Sequence, residues 1–321
     1  MIKRILAGIL VCIAASAAAV AQPYPSRPIR FIVPYPPGAL TDLLARTIGE
    51  RLGAALKQAV VVENKPGAGT LVGAEFVAKS APDGYTLLMA TSTTLGMSPA
   101  MYKNPPINPV RDFAPVLQVG TVNFFLVGNP SFLAKNMREL IEVIRANPGK
   151  FNYASVGNGS AHHLFMEILK KEVGLDIQHI PYKGTLAALT DVMSGKVQIM
   201  FSDATAALPN IRAGKVLAYG TSAGKQTELI ASVPPIAETV AGYDWQAWQG
   251  VVAPAATPPK IVARLGTELQ RIQSSSEFRD LLTKFGMEPS PPNTPEQFAA
   301  IVKSDVERWA IAVAASGARV D

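Results

Sequence analysis

Two loops of this sequence place glycines directly before an amphipathic segment, in a pattern typical of sites that bind anions. The first is VPYPPGALTD, residues 33–42, in which three prolines stiffen the chain and Gly38 allows a ligand to approach the backbone. The second is SVGNGSAHH, residues 155–163. The N–H groups that open a helix are unpaired and carry partial positive charge, so such loops can hold a carboxylate without a basic side chain.

Alone, the first loop fits an ordinary strand-to-helix turn as well as it fits a binding loop, because such turns are common in α/β folds. The second loop contains Gly157, Asn158, Gly159 and Ser160 and shifts the interpretation towards a clamp made of two neutral loops. Thr41 is placed to cap the helix that follows the first loop.

Other reactive residue types are sparse. The adjacent His162 and His163 would point about 100° apart on a helix and so would not share a metal ion, although His163 is a candidate ligand contact. Lys183 and Asp203 stand at turns, where binding residues are often found. No nucleophile has a base at a readable spacing. We therefore expect no catalytic residues and no metal site.

The sequence also lacks the usual cofactor-binding patterns. Gly67, Gly69 and Gly73 follow a strand, but Val72 stands where a dinucleotide-binding fingerprint needs its third glycine. No phosphate-binding loop and no nucleophile elbow are present in the sequence. We expect no cofactor.

The elements that position the two loops alternate between strand and helix patterns, which predicts parallel sheets with crossover helices. Residues 29–33, 85–89 and 151–155 are predicted strands, and each is followed by a turn that leads into a helical pattern. Near the C-terminus, Thr294 and Gln297 form a capping signature with proline between them at the first helical position.

Length and composition predict two domains and a large core. The chain has 321 residues, of which 48% are hydrophobic and 17% charged. Its net charge of +6 is spread without a basic block, which argues against a nucleic-acid partner.

The N-terminus is typical of a secretory signal. Lys3 and Arg4 precede an apolar run that is shorter than a membrane span, and Ala19 and Ala21 form an A-x-A cleavage pattern. We predict removal of residues 1–21 and export to the periplasm. Cys12 lies in this segment and is the only cysteine, so the exported chain would have neither a disulfide nor a thiol nucleophile.

Nearly all of the exported chain resembles the Bug family, the periplasmic substrate-binding receptors of tripartite tricarboxylate transporters. The motifs that carry the resemblance are YPSRPIRFIVPYPPG, VVVENKPGAG, APDGYTLL, NPVRDFAPV, NYASVGNGSAHHL, IPYKGT, ALPNIRAGK, VAPAATP, TPEQFAA and the W-x-G of Trp248 and Gly250. The resemblance implies an α/β fold of the two-lobed, type II (Venus flytrap) periplasmic binding protein class. It also implies a monomeric receptor that captures a small carboxylate and delivers it to a membrane permease.

The family's binding positions transfer to four groups of residues in this sequence. By this resemblance the ligand-binding residues are Tyr35, Gly38, Ala39 and Thr41; Thr91, Ser92 and Thr94; Ser155, Asn158, Gly159, Ser160 and His163; and Tyr182, Lys183, Gly184 and Asp203. Ala39 replaces a frequent second glycine, and Ser202-Asp203 replaces a frequent Asp-Asn.

Two crossings between lobes, near residues 119–124 and 243–248, are expected to form a hinge that closes on the ligand. Lobe 1 would comprise residues 22–121 and 247–321, and lobe 2 residues 122–246. Two alternatives stay open at this point: a carboxylate sensor that signals through a protein partner, and a secreted α/β enzyme acting on organic acids.

Overall fold

The computed structural model describes residues 24–320, which fold around two β-sheets. The strands are β1 (Ile29–Val33), β2 (Val60–Asn64), β3 (Thr86–Thr91), β4 (Phe113–Val122), β5 (Phe124–Gly128), β6 (Asn152–Ser155), β7 (Gln178–Pro181), β8 (Ile199–Asp203), β9 (Leu217–Thr221), β10 (Ala247–Pro254) and β11 (Met287–Pro289). The helices are α1 (Leu40–Leu56), α2 (Leu71–Ala78), α3 (Ser98–Met101), α4 (Met137–Arg145), α5 (Ala161–Val173), α6 (Thr185–Met193), α7 (Ala204–Arg212), α8 (Pro259–Ser274), α9 (Ser276–Lys284) and α10 (Pro295–Ser316).

The first sheet has six strands in the order β11-β4-β10-β3-β1-β2. Strand β1 runs parallel to β2 and β3, whereas β10 is antiparallel to both β3 and β4. Parallel neighbours need crossover connections, which α1 and α2 supply. All residues of β3, and all of β1 except Arg30, are buried, as expected for central strands covered on both faces.

The second sheet has five strands in the order β7-β6-β8-β5-β9. Strand β6 is parallel to β7 and β8, and β5 is antiparallel to β8 and β9. Helices α5 and α6 make the crossovers within the parallel part. Each sheet with its helices forms one lobe.

The chain passes from the first sheet to the second at Asn123, between β4 and β5, and returns between β9 and β10. Asn123 is 1% exposed, and its Nδ2 donates to Glu288 Oε1 (2.9 Å) and Thr227 Oγ1 (3.2 Å). The Thr205 hydroxyl donates to the Phe285 carbonyl at 2.6 Å. Hydrogen bonds therefore join the two lobes beside the crossing, while the residue boundaries of the lobes stay a prediction.

Helix α10 contacts both lobes. The predicted capping box is confirmed: Thr294 Oγ1 accepts from the Gln297 N–H, and Gln297 Oε1 accepts from the Thr294 N–H. Further along the helix, Trp309 is 1% exposed and stacks on Phe165 of α5 with ring centroids 5.9 Å apart. Asp305 accepts from Trp248 Nε1 at 2.8 Å.

Helix α1 begins differently from the prediction, since its N-cap is Ala39 and Thr41 is not a cap. The chain is extended at Ala39, so the helix starts at Leu40 and places Thr41 inside the first turn, where it is buried. The carboxylate of Asp42 bonds to the loop in its place, by accepting from the Gly38 N–H at 2.9 Å.

No helix within residues 24–320 is long and apolar enough to cross a membrane. The predicted signal segment, residues 1–21, lies outside the described residues.

Candidate functional site

The predicted binding residues lie where parallel strands end. Loops after β1 and β3 leave the same edge of the first sheet, the one formed by the carboxyl ends of its parallel strands. The loops after β6, β7 and β8 leave the corresponding carboxyl edge of the second sheet. In open α/β sheets, ligands bind in the crevice outside the carboxyl ends of the strands. The sheet topology therefore gathers each lobe's candidate residues along one edge.

A cluster of hydroxyl groups forms on the first lobe. Tyr35 Oη lies 3.1 Å from Thr91 Oγ1, which in turn lies 3.0 Å from Thr94 Oγ1. The Thr94 N–H also donates to Thr91 Oγ1 at 3.1 Å. Both threonines are buried and Tyr35 is half-buried. The structure thus joins the first loop to the turn after β3, as their positions on neighbouring parallel strands require.

The first loop itself is organised by a buried carboxylate that was not predicted as part of the site. Asp42 is 1% exposed and accepts from the Gly38 N–H, from Asn64 Nδ2 at 2.8 Å and from Arg46 Nε at 3.0 Å. Burial would raise the pKa of Asp42, but these three donors outweigh it and lower the pKa below its ordinary value. The Gly38 amide is consequently bonded to the protein's own carboxylate.

Ser92 does not belong to the hydroxyl cluster of Tyr35, Thr91 and Thr94, because its hydroxyl is bonded elsewhere. It is fully buried, and its Oγ accepts from the Trp248 N–H at 2.7 Å. Since the Trp248 indole is bonded to Asp305 of α10, Ser92 connects the turn after β3 to the C-terminal helix.

On the second lobe, two serines shape the second of the two predicted loops, here called the glycine loop (residues 155–160). Ser155 Oγ accepts from the Gly157 N–H at 3.0 Å, and the Ser160 hydroxyl donates to the Gly157 carbonyl at 2.7 Å. Ser160 is also the N-cap of α5 and accepts from the His163 N–H. Gly157 and Gly159 have φ values of 118° and 77°, which side-chain-bearing residues rarely adopt. Asn158, between them, is exposed.

A stack of rings lies directly behind this loop. His163 Nδ1 accepts from the Gly159 N–H at 3.2 Å, and the His163 ring stacks on His179 with centroids 4.3 Å apart. His179 Nε2 lies 2.6 Å from Ser155 Oγ, and its ring also stacks on Tyr153 at 4.9 Å. Both ends of the glycine loop are therefore bonded to a histidine.

The two rings are neutral at physiological pH. Burial, followed by the neighbouring His179, lowers the pKa of His163 to about 4, and burial also lowers the pKa of His179. Nδ1 of His163 must be unprotonated to accept the Gly159 N–H. His179 was not predicted from the sequence as a site residue, although its pairing opposite Tyr153 in adjacent strands β6 and β7 places both side chains on the same face.

Ser155 and His179 have the spacing of a nucleophile and its base, but Ser155 is fully buried. Its oxygen is also occupied by the Gly157 N–H. These contacts favour loop positioning over nucleophilic catalysis.

The remaining predicted residues follow β7 and β8. The Tyr182 hydroxyl donates to Asp191 at 2.8 Å, Lys183 is exposed, and Gly184 is the N-cap of α6. Asp203, the N-cap of α7, accepts from the Ala206 N–H. Its carboxylate also accepts from the Thr185 hydroxyl at 3.3 Å.

The two lobes meet at the glycine loop. A Cβ atom added to Gly159 would lie 2.6 Å from Sδ of Met101, which belongs to α3 on the first lobe. Met101 is 2% exposed. The absence of a side chain at residue 159 is therefore what lets the lobes approach here.

Among residues 24–320, no group of three or more His, Cys, Asp or Glu side chains is arranged to hold a metal ion.

Comparison with known proteins decides the family. Residues 44–317 match the family described as Tripartite tricarboxylate transporter family receptor. This chain belongs to that family. Protein BugT of Bordetella pertussis is 35% identical to this receptor over 324 residues, covering 99% of the receptor and 98% of BugT.

Solved structures agree with this assignment. Rpa4515 of R. palustris with adipate superimposes with a TM-score of 0.84 at 30% identity, covering 92% of this receptor and 100% of Rpa4515. MatC (Rpa3494) of Rhodopseudomonas palustris with bound malate gives 0.81 at 31% identity, covering 90% of this receptor and 100% of MatC. The Bug-family resemblance and the two-lobed α/β periplasmic binding protein fold are both confirmed.

Proposed function

We propose that this receptor works in the periplasm, where it captures a small carboxylate between its two lobes and delivers it to the membrane permease of a tripartite tricarboxylate-type transporter. Two structurally similar proteins have been solved with carboxylates, adipate in Rpa4515 and malate in MatC. Family membership supports the transporter partner.

The observation that carries the proposal is the set of neutral donors at the carboxyl edges of both sheets. The first lobe offers the half-buried Tyr35 hydroxyl, which Thr91 and Thr94 position, and the second offers the exposed Asn158 of the loop before α5. The close approach of Gly159 to Met101 of the first lobe supports a site between the two lobes. A ligand held between them would be sequestered from water when the lobes close.

Hydrogen bonds are sufficient for useful affinity without a basic side chain. A hydrogen bond to a charged group contributes roughly 1.5–3 kcal/mol, and micromolar binding needs about 8 kcal/mol. Roughly four to six such bonds would give about 6–18 kcal/mol, a range that reaches this value and, above its lower end, also covers part of the association cost. Lys183, which is exposed, is not needed in this scheme.

Mass spectrometry of the receptor purified without denaturation from bacterial periplasm tests the proposal. The expected result is a bound small organic acid that is released on denaturation. Release of a sugar or a polyamine in its place would contradict the proposal.

A further inference from the structure

Three helices of the second lobe begin around one carboxylate. Asp203 is the N-cap of α7, Thr185 is the first residue of α6, and His162 lies in the first turn of α5. Asp203 Oδ1 accepts from the Ala206 N–H at 3.2 Å, and Oδ2 accepts from the Thr185 hydroxyl at 3.3 Å. His162 Nε2 lies 3.6 Å from the same Oδ2.

The carboxylate is ionised at neutral pH. Burial alone would raise the pKa of Asp203, but the nearby His162 ring, the Ala206 N–H and the Thr185 hydroxyl together lower it below its ordinary value. Among residues 24–320, the salt bridges of Asp203 include no lysine or arginine, only the 3.6 Å approach of His162. Its side chain is 17% exposed, so a ligand can still reach it.

His162 is a second unusual feature of this cluster. The residue is 8% exposed; its Nε2 has only the 3.6 Å approach to Asp203, which is too long for a hydrogen bond, and within the described part of the chain its Nδ1 has no hydrogen-bond partner. Its ring packs edge-on against Phe124, at the crossing between the lobes, with centroids 5.1 Å apart. A buried polar group without a partner is costly, so this one indicates a partner supplied from outside the chain.

We propose that Asp203 and His162 form a subsite for the far end of the ligand, which takes a hydrogen-bond donor and excludes a second carboxylate. The inference rests on the carboxylate-binding function proposed above. Asp203 already occupies the position where three helix N-termini would favour an anion, and a second negative charge beside it would be repelled. A hydroxyl or ammonium group would instead donate to the free lone pairs of Asp203 and to Nδ1 of His162.

This subsite would separate the receptor from Rpa4515 and MatC, whose bound adipate and malate each carry two carboxylates. The expected ligand is a carboxylate whose other end carries a hydroxyl or an ammonium group.

Isothermal titration calorimetry on the exported receptor, residues 22–321, tests this subsite. The probes are succinate and adipate, each beside analogues of the same chain length in which one carboxylate is replaced by hydroxyl, ammonium or methyl. Asp203→Asn removes the charge but keeps a good N-cap residue. Asp176→Asn is the matched control, since Asp176 is an exposed carboxylate of the same lobe in the turn that leads into β7, at the opposite end of that strand from the predicted binding loops.

The wild type is expected to bind a hydroxyl- or ammonium-terminated acid at least on the order of tenfold more tightly than the matching dicarboxylate. Asp203→Asn should reduce this preference by a similar factor, whereas Asp176→Asn should leave it unchanged. If dicarboxylates bind the wild type as tightly as their analogues, the subsite is wrong and the receptor function stands. If no acid binds the wild type, both fail. Should Asp203→Asn not fold, the wild-type ranking alone decides.

Discussion

The N–H of Gly159 donates a 3.2 Å hydrogen bond to Nδ1 of His163, four residues later along the chain. This bond sets the conformation of the glycine loop at the point where it meets Met101 of the other lobe. The loop that the sequence marks as an anion site is thus held from behind by a neutral ring.

We expect Gly159→Val to remove most of the ligand affinity, roughly 3–6 kcal/mol if two charge-assisted hydrogen bonds are lost. The backbone of the valine would have to keep a φ of +77°, and its side chain would point towards the buried sulfur of Met101. Calorimetry with the identified ligand measures the loss.

Gly174→Val is the matched control for backbone strain. Gly174 ends α5 with a φ of +63°, and a Cβ atom added there would have no other atom within 4 Å. Both variants should unfold at a lower temperature than the wild type, but Gly174→Val should retain binding. Equal affinity of the two variants would show that the Gly159 loop does not contribute to ligand binding.

Lys183→Ala should change ligand affinity by about 1 kcal/mol at most, because an exposed ammonium contributes little to an ion pair. The same calorimetric titration measures this change. Abolished binding in Lys183→Ala, together with intact binding in Gly159→Val, would mean that a side-chain cation holds the ligand.

His163 should make the free energy of unfolding fall as the pH falls. The pKa of His163 is about 4 in the folded state and about 6.5 when unfolded, so the unfolded chain binds more protons between these values. His179, Glu167 and Lys170 lie near the ring and contribute to this pKa. Between pH 7 and pH 4 the loss from this residue should be about 3 kcal/mol.

The stability difference between the wild type and His163→Asn isolates the contribution of this ring. Asparagine keeps an acceptor near the position of Nδ1 but does not titrate. Denaturant unfolding of both proteins at each pH should show a difference that shifts with pH. A difference that is constant from pH 7 to pH 4 would refute the assignment.

Asp305 should have the opposite pH dependence. Burial raises its pKa to about 6, against the opposing effect of Trp248, so the folded state holds the proton more tightly than the unfolded state. The stability contributed by this group is therefore lost as the pH rises through about 6. We expect Asp305→Asn, which can still accept from the Trp248 indole, to gain about 2 to 3 kcal/mol relative to the wild type between pH 4 and pH 8. Urea titrations at the two pH values measure it, and an unchanged difference would contradict the shifted pKa.

The signal segment is tested on periplasmic protein. The basic start, short apolar run and A-x-A pattern predict cleavage after Ala21, so N-terminal sequencing should begin at Gln22. Uncleaved protein retained in the inner membrane would show that residues 1–21 act as an anchor.

Local patterns predicted the elements that depend on nearby residues. Strand β1 has the predicted bounds, and the Thr294 capping box forms as expected, because apolar runs and caps are set within a few residues. The prediction that Thr41 caps α1 was wrong. The last extended residue before the helix is Ala39, so the helix starts at Leu40 and Thr41 is already inside it.

The contacts that organise the site depend on strand pairing, which sequence spacing does not contain. His179 reaches Ser155 only because β6 and β7 are neighbours, and Asn64 reaches Asp42 only because β2 lies beside β1. The residue types therefore predicted the two glycine-containing loops. The buried groups that hold these loops, Asp42, His163 and His179, are identified only by the three-dimensional structure.

Thermal unfolding in the presence of candidate ligands tests the receptor function most directly. Small carboxylic acids should raise the melting temperature in proportion to ln(1 + [L]/Kd), while sugars and polyamines at the same concentration should leave it unchanged. A rise with sugars or polyamines and none with any acid would contradict the proposal that this receptor binds carboxylates.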